Sequence, residues 1–390
     1  MTENMGSLDE AESSDEVLDE SIEDDEGLVD TGASSLDYFG ADFDVSGLVR
    51  RLNDSDIVIP RFEPDEAAGL TVEGFQRQRV WTAPRMEKFV ESLLLGWPIP
   101  SIFLVVEPDQ RYLVLDGQQR LTTLQAFYSG FFPDGKEFRL KDVAEHLQNA
   151  TYATLNDESK RRLNNTFIQA IVIEPQGEEG KDSVYRLFGR LNSGGVILTA
   201  QEIRVALYRG PLINWIRDLN HDAAWRSLYG AVDKKLKDHE LILRALAMRQ
   251  VVERMDDAWA DVETARSSYK PPMSQFLNNF LQDHRQMEGL DKEALTSAFS
   301  ASCSLVLRAL GPDGLKFSGR LNAAHIDALL GVLIYLTERG IAPAESQLKA
   351  GVASLRSNSR YVEWVSRSTS HRDSVLGRLE SAYNALARQS

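Results

Sequence analysis

Residues 112–130 read YLVLDGQQRLTTLQAFYSG, and this stretch decides how the first half of the chain folds. The apolar run Tyr112–Leu115 leads into Asp116 and Gly117, and an amphipathic segment follows at once. The pattern predicts a buried strand that turns directly into a helix starting near Gln118. A turn requires only the glycine, so the acid, the two amides and the arginine around it indicate a functional site.

The sequence on either side of this stretch predicts a small unit of strands and helices. Residues 82–100, TAPRMEKFVESLLLGWPIP, have apolar side chains at helical spacing, a proline in the first turn, and a glycine and a proline at the end. Residues 101–107, SIFLVVE, predict a strand that pairs with the Tyr112–Asp116 segment in a hairpin. Residues 166–174, TFIQAIVIE, predict one further strand.

Strand patterns disappear from Asp182 onward, where segment after segment has helical periodicity. The sequence therefore predicts a fold of the α+β class. A small core of mixed sheet and helices is expected over residues 46–180, and a larger all-helical domain over residues 181–390.

The negative charge of the chain lies on its first segment. The net charge is −16, and residues 1–49 contain 16 acidic side chains and no basic one, whereas residues 50–390 contain 43 of each. A serine-rich, acidic segment with few aromatics cannot bury enough surface to fold, so we predict a disordered acidic leader over residues 1–45. The leader is either a solvating segment or a polyanion that covers a basic cleft or recruits a basic partner.

Several protein classes are disfavoured by composition. No apolar run approaches the length of a membrane span, and the acidic start does not resemble a secretory signal, so a cytoplasmic protein without membrane contact is expected. Cys303 is the only cysteine, which excludes an internal disulfide and a cysteine-based zinc cluster. Neither a P-loop nor a GxSxG nucleophile turn occurs in the sequence.

The chemistry of the Asp116–Arg120 turn favours a nucleotide phosphate with Mg²⁺. A helix that starts beside Gly117 presents unpaired N–H groups and the positive end of its dipole, which attract anions. Arg120 adds a planar guanidinium suited to phosphate oxygens. Asp116 fits beside a phosphate when a divalent cation lies between them, or when the carboxylate handles a water molecule. A second interpretation remains open here, in which Asp116 only caps the helix and Arg120 pairs with a surface acid.

Two further segments are more polar than a protein core requires. Residues 74–81, GFQRQRVW, place Arg77 and Arg79 ahead of a tryptophan. Residues 188–204, FGRLNSGGVILTAQEIR, end one helix, pass through a Ser-Gly-Gly loop and start another helix, for which Thr199 and Glu202 have the spacing of a capping box. Each segment is weak evidence alone, and together with the Asp116–Arg120 turn they form a three-part constellation.

Four motifs, taken in their order along the chain, closely resemble the N-terminal domain of GmrSD-type restriction proteins. They are GFQRQRVW, ESLLLGWPIPSIFL, YLVLDGQQRLTTL and LFGRLNSGGVILTAQEIRVALYRG. That domain is related to the ParB and sulfiredoxin superfamily. The ordered motifs run from about Ile57 to Gly210, and the Asp-Gly-Gln-Gln-Arg string is highly specific to this group. The resemblance implies a small nucleotide-binding core of mixed sheet and helices, followed by a helical extension.

The resemblance also implies an activity and the residues that carry it. In that family the Asp-Gly-Gln-Gln-Arg motif is associated with binding and hydrolysis of nucleoside triphosphates. We therefore predict Asp116 and Arg120 as catalytic residues, with Asp116 also as the metal ligand. The predicted nucleotide-binding residues are Arg77, Arg79, Gly117, Gln118, Gln119, Arg120, Asn192, Gly194, Gly195, Glu202 and Arg204.

The chain departs from the family pattern at its histidines. GmrSD-type proteins usually carry a C-terminal nuclease domain with a histidine-centred metal finger, whereas His325 and His371 lie in helical contexts without that pattern. No nuclease activity is therefore expected from this polypeptide. The leading hypothesis is a Mg²⁺-dependent NTPase that regulates a phage-defence or restriction system and acts with a separately encoded effector, such as a nuclease or an ATPase.

Two hypotheses from other functional classes stay open. One is DNA binding in the manner of ParB relatives, which the Lys160-Arg161-Arg162 and Lys234-Lys235-Lys237 clusters support and the balanced charge of residues 50–390 disfavours. The other is a non-catalytic interaction module in which the acidic leader mimics nucleic acid.

Overall fold

A computed structural model describes residues 36–60, 81–191, 198–257 and 266–387. Contacts divide the described chain into two compact units. The first unit comprises residues 36–209 together with Asp233–Leu236, and the second comprises Gly210–Val232 and the chain from Lys237 onward. The sequence-based domain boundary at residue 180 stays a prediction.

The first unit contains five strands and six α-helices within the described residues, and a short 3-10 helix at Glu145–Leu147. The strands are β1 (Asp37–Asp44), β2 (Ile57–Val58), β3 (Ile102–Val106), β4 (Tyr112–Asp116) and β5 (Phe167–Glu174). The helices are α1 (Val45–Asn53), α2 (Ala83–Leu95), α3 (Gln118–Ser129), α4 (Asp157–Asn164), α5 (Gly177–Leu191) and α6 (Ala200–Leu207). The helix, hairpin and strand that the sequence predicts around residues 82–174 are confirmed.

The strands form one mixed sheet in the order β1-β5-β3-β4-β2. β3 pairs antiparallel with β4 and parallel with β5, while β2 lies parallel to β4. Because β3 and β4 run in opposite directions, the end of β4 at Asp116 lies opposite Phe103 at the start of β3. This pairing places the Asp116–Arg120 turn beside the beginning of β3.

Alternating strand residues bury both faces of the sheet. On one face Leu104, Val114 and Val172 pack in a core cluster together with residues of α1 to α4. On the other face Val105 and Leu115 pack against apolar residues of α5 and α6. Burial on both sides explains why the central strands read as continuous apolar runs in the sequence.

The predicted disordered leader extends too far toward the folded core. Residues 37–44, which lie inside the predicted leader, form β1 and pair with β5 over their full length. Asp44 ends the strand and caps α1, since its carboxylate accepts a hydrogen bond from the N–H of Gly47 at 2.8 Å. The acidic composition of this segment did not predict a strand. The strand is stabilised by backbone pairing and by Phe43, which packs on the core.

The second unit is almost entirely helical. Its helices are α7 (Pro211–Leu219), α8 (Ala223–Tyr229), α9 (Lys237–Asp257), α10 (Met273–Asp283), α11 (Lys292–Leu310), α12 (Ala323–Glu338), α13 (Glu345–Ser357), α14 (Ser359–Ser366) and α15 (Arg372–Ala387). Between α11 and α12 lies a hairpin of two short strands, β6 (Lys316–Phe317) and β7 (Arg320–Leu321). The prediction that this domain is all-helical is therefore wrong at this hairpin. The α+β class, with a mixed sheet followed by a mostly helical region, is confirmed.

Helix α12 is the central helix of this unit, and nearly all of its side chains are buried. Its Asp327 lies between two arginines from other helices. Arg244 of α9 donates to both carboxylate oxygens, at 2.9 and 2.7 Å, and Arg378 of α15 donates to Oδ2 at 2.9 Å. Asp327 and Arg378 are fully buried. Arg244, Asp327 and Arg378 together form the Asp327 cluster. Among the described residues, no helix is long and apolar enough to cross a membrane.

Candidate functional site

The turn between β4 and α3 depends on a glycine. Gly117 is the residue before the first helical residue and has a φ of 95°, in the left-handed region that side chains disfavour. A Cβ atom at this position would lie 2.5 Å from Cγ2 of Ile102 in β3. Both the backbone conformation and the close approach of the neighbouring strand therefore require glycine here.

Replacing Gly117 with alanine is expected to lower the free energy of unfolding of the first unit by about 2–4 kcal/mol, through left-handed strain and overpacking. Chemical denaturation of the two proteins measures the difference. Gly130→Ala is the matched control at the other end of α3, because Gly130 has a φ of 86° but nothing within 4 Å of its Cβ position. Equal losses in the two variants would show that the contact with Ile102 does not matter.

Asp116 and Arg120 form an ion pair across this turn. Nη2 of Arg120 lies 2.7 Å from Oδ2 of Asp116 and also donates to the carbonyl of Ser101 at 3.1 Å. The Asp116 side chain is 43% exposed and that of Arg120 is 14% exposed. The guanidinium is thus held against the starts of α3 and β3, while the carboxylate faces solvent.

Arg120 retains hydrogen-bonding capacity in this position. Its Nε atom is buried and has no hydrogen-bond partner among the residues that the structure describes. A guanidinium offers five N–H donors in one plane, and a buried donor without a partner is costly. The side chain is therefore oriented by the protein but not saturated, as a binding group would be.

The start of α3 has unpaired backbone donors. No side chain caps the helix at Gly117, and the N–H groups of Gln118, Gln119 and Arg120 donate to no described residue. Unpaired N–H groups at a helix start carry a partial positive charge that favours anions. Of the alternative interpretation, the capping by Asp116 is not seen, whereas Arg120 does pair with an exposed acid, which is Asp116 itself.

Gln119 connects the turn to the segment that precedes α2. Its Oε1 accepts a hydrogen bond from the backbone N–H of Trp81 at 2.8 Å. The Trp81 ring packs edge-on against Phe89, and the guanidinium of Arg85 lies 4.8 Å from its centroid. Trp81 closes the GFQRQRVW segment, so Gln119 ties the end of that segment to the turn. Sequence reasoning missed this contact because it joins a side chain to a backbone group 38 residues away.

Glu202 and Arg204 occupy buried positions on α6. Glu202 completes the predicted capping box, since its carboxylate accepts from the N–H of Thr199 at 2.8 Å while Thr199 caps its backbone. Arg204 lies over the Tyr185 ring at 5.8 Å and within 3.5 Å of Gln201. The capping role of Glu202 is confirmed, and nucleotide contact by Glu202 and Arg204 stays a prediction.

The predicted residues in the other two motifs lie outside the described residues. They are Arg77, Arg79, Asn192, Gly194 and Gly195. The described residues that flank them belong to the first unit. The backbone N–H of Trp81 donates to Gln119, and Leu191 and Leu198 pack on the core beneath α5 and α6. Ser101 was not predicted, because a backbone carbonyl that orients Arg120 leaves no signal in residue types.

A Mg²⁺ ion at this turn would have one protein ligand from the described residues. No group of three or more His, Cys, Asp or Glu side chains in the described part of the chain could hold a metal. Mg²⁺ commonly binds through one or two carboxylates, with substrate phosphates and water completing its octahedral shell. The exposed carboxylate of Asp116 fits that mode of binding, and it does not fit a metal site formed by protein ligands alone.

The two histidines named in the sequence analysis, His325 and His371, lie in different environments. His325 is fully buried on α12, and its Nδ1 lies 2.8 Å from the Tyr361 hydroxyl. Burial lowers the pKa of His325 to about 3, so the ring stays neutral at ordinary pH. His371 is exposed immediately before α15.

Residues 59–209 match the family model described as GmrSD restriction endonuclease, N-terminal domain. The match covers less than half of the chain and includes the turn and both of the other predicted motifs. The family resemblance inferred from the motifs is confirmed for this segment. Comparison with curated proteins and with solved structures gives no match.

Proposed function

We propose that the turn formed by Asp116, Gly117 and Arg120 binds the phosphates of a nucleoside triphosphate with Mg²⁺ and supports its hydrolysis. The Asp116–Arg120 pair carries this proposal, since a fixed guanidinium and an exposed carboxylate flank three N–H groups that have no partner among the described residues. The match of residues 59–209 to a restriction endonuclease domain supports a role in a bacterial restriction or phage-defence system.

Each group has a distinct task in the proposed site. The N–H groups at the start of α3 and the guanidinium of Arg120 bind phosphate oxygens and stabilise the charge that spreads over them during transfer. Gly117 brings the backbone close to the phosphates, because no side chain stands between. Asp116 supplies a carboxylate ligand for Mg²⁺ or orients the attacking water molecule.

The ion pair also bears on how a ligand would bind. Asp116 neutralises Arg120 at 2.7 Å. A phosphate with its Mg²⁺ would replace both partners together, since the phosphate pairs with the guanidinium and the cation pairs with the carboxylate. Binding would therefore exchange one set of charge pairs for another without leaving either side chain uncompensated.

The proposed role in the system follows from the same site. Hydrolysis or binding at the turn would alter how the helical unit meets a separately encoded effector, such as a nuclease or an ATPase. This assignment rests on the family of residues 59–209 and on the nucleotide site. A cytoplasmic location accords with such a role.

The test is a panel of ATP, GTP, CTP and UTP, each with and without Mg²⁺. At least one nucleotide is expected to bind and to release phosphate only when Mg²⁺ is present, because the cation neutralises repulsion between Asp116 and the phosphates. Equilibrium binding and phosphate release are measured separately. Arg111→Ala, at the other end of β4 where Arg111 pairs with Asp109, is the control and is expected to leave both unchanged. Absence of binding at millimolar nucleotide would refute the proposal.

A further inference from the structure

Strand β1 has a long unpaired outer edge. Among the residues that the structure describes, it is the first strand in the sheet order and pairs only with β5. An exposed edge of eight residues is a ready-made surface for another strand, and natural proteins usually shorten, cover or interrupt such edges. The opposite edge, β2, has only two residues and illustrates the usual solution.

The register identifies which backbone groups are free. The N–H of Val45 donates to the carbonyl of Thr166 directly opposite, so alternate residues from Phe43 back to Asp37 also face β5. The backbone groups of Tyr38, Gly40 and Asp42 therefore point away from the sheet. Within the described residues the sheet has no further strand beyond β1, so these outward groups have no strand neighbour there.

Gly40 lies in the middle of this edge, and nothing within the first unit requires a glycine there. A Cβ atom there would meet nothing within 4 Å, and the backbone is ordinary strand, so neither crowding nor conformation requires glycine. Glycine weakens a strand interior and often marks a position that another backbone approaches closely. The residue fits an edge on which a second strand docks.

The side chains along the edge indicate the chemistry of the partner. Tyr38 is 72% exposed and Phe39 is 46% exposed, and they project to opposite faces of the strand. Asp37 and Asp42 are exposed. The 35 residues before the described chain add 13 acidic side chains and no basic one. A second copy would bring two such acidic segments together, whereas a basic strand would neutralise them.

We propose that the outer edge of β1 binds an extended, basic segment of a partner protein by adding it as a sixth strand to the sheet. Backbone hydrogen bonds to Tyr38, Gly40 and Asp42 would fix the register of the segment. Its apolar side chains would cover Tyr38 and Phe39, and its lysines or arginines would pair with Asp37 and Asp42. This surface does not depend on the nucleotide site.

The test uses the full chain and the eight-residue peptide Lys-Lys-Val-Val-Val-Val-Lys-Lys, which can place valines opposite Tyr38 and Phe39 and lysines opposite Asp37 and Asp42. Fluorescence anisotropy is expected to show binding, and residue-resolved amide exchange is expected to show new protection at Tyr38, Gly40 and Asp42. A glutamate–valine peptide tests the role of charge. The lysine–valine peptide with N-methylated amides keeps the charge but cannot pair as a strand. Both control peptides are expected to bind at least tenfold more weakly.

Gly40→Pro is the matched variant of the protein. It removes only an outward N–H and obstructs the edge, so peptide affinity is expected to fall at least tenfold while thermal unfolding stays unchanged. If this variant unfolds, amide exchange in the unmodified protein shows whether the peptide protects the three outward amides. Equal binding of the N-methylated peptide, or no new protection at the three outward amides, would overturn the proposal. A concentration-dependent dimer that Gly40→Pro abolishes would instead assign the edge to a second copy and also overturn it.

Discussion

Replacing Asp327 with alanine is expected to lower the free energy of unfolding of the helical unit by about 3–5 kcal/mol. The carboxylate is fully buried and accepts hydrogen bonds from Arg244 and Arg378. Its removal would leave two guanidinium charges in the interior without their common counter-ion, and desolvated charges are far more costly than lost contacts. Urea denaturation followed by far-ultraviolet circular dichroism measures the change.

The control for this prediction is Asp313→Ala. Asp313 pairs with Lys316 at 3.3 Å but is 77% exposed, so water replaces the lost partner and the expected change is about 1 kcal/mol or less. Asp327→Asn tests the charge alone, since the amide keeps the shape and one acceptor oxygen. A loss for Asp327→Ala no larger than that for Asp313→Ala would show that the Asp327 cluster does not anchor the helices.

Replacing Arg120 with alanine is expected to reduce nucleotide turnover about 100-fold and to weaken nucleotide binding at least tenfold. The reason is that, among the described residues, Arg120 is the guanidinium oriented at the turn, through Ser101 and Asp116. Arg120→Lys keeps the charge but loses the planar pair of donors, so it is expected to restore only part of the binding. Isothermal titration and phosphate release give the two quantities.

The opposite response is expected from Asp116→Asn. Without Mg²⁺ this variant should bind nucleotide as well as or better than the unmodified protein, because it removes a negative charge next to the phosphates and releases Arg120. With Mg²⁺ its turnover should fall about 100-fold, since the carboxylate ligand is lost. A purely structural ion pair predicts a different result, namely equal losses of stability in the Asp116 and Arg120 variants and no effect of Mg²⁺ on either.

Thermal unfolding of each variant separates these outcomes from misfolding. Arg120 contacts the residue before β3, so its removal could loosen the hairpin. Arg120→Lys and Asp116→Asn keep most of the packing and provide the comparison when the alanine variant is unstable. Unchanged turnover in both conservative variants would contradict the assignment of the site.

The local elements were predictable where one short pattern specifies them. The proline start and glycine end of α2, the capping box of α6 and the strand–glycine–helix sequence at Gly117 all appear in the structure as the residues indicate. Each depends on contacts within a few residues, such as a first-turn proline or a reciprocal cap. Strand β1 was missed because its stability comes from pairing with β5, more than 120 residues later.

The sequence by itself determined the α+β class, the position of the turn and the candidate residues Asp116 and Arg120, because hydrophobic period, glycine and charge are local properties of the chain. Only the tertiary structure decided that these two side chains pair with each other, that Ser101 and Gln119 hold the turn in place, and that β1 is an edge strand of the described sheet. The physical reason is that hydrogen-bond partners and strand neighbours are set by which distant segments pack together, and residue types alone do not encode that choice.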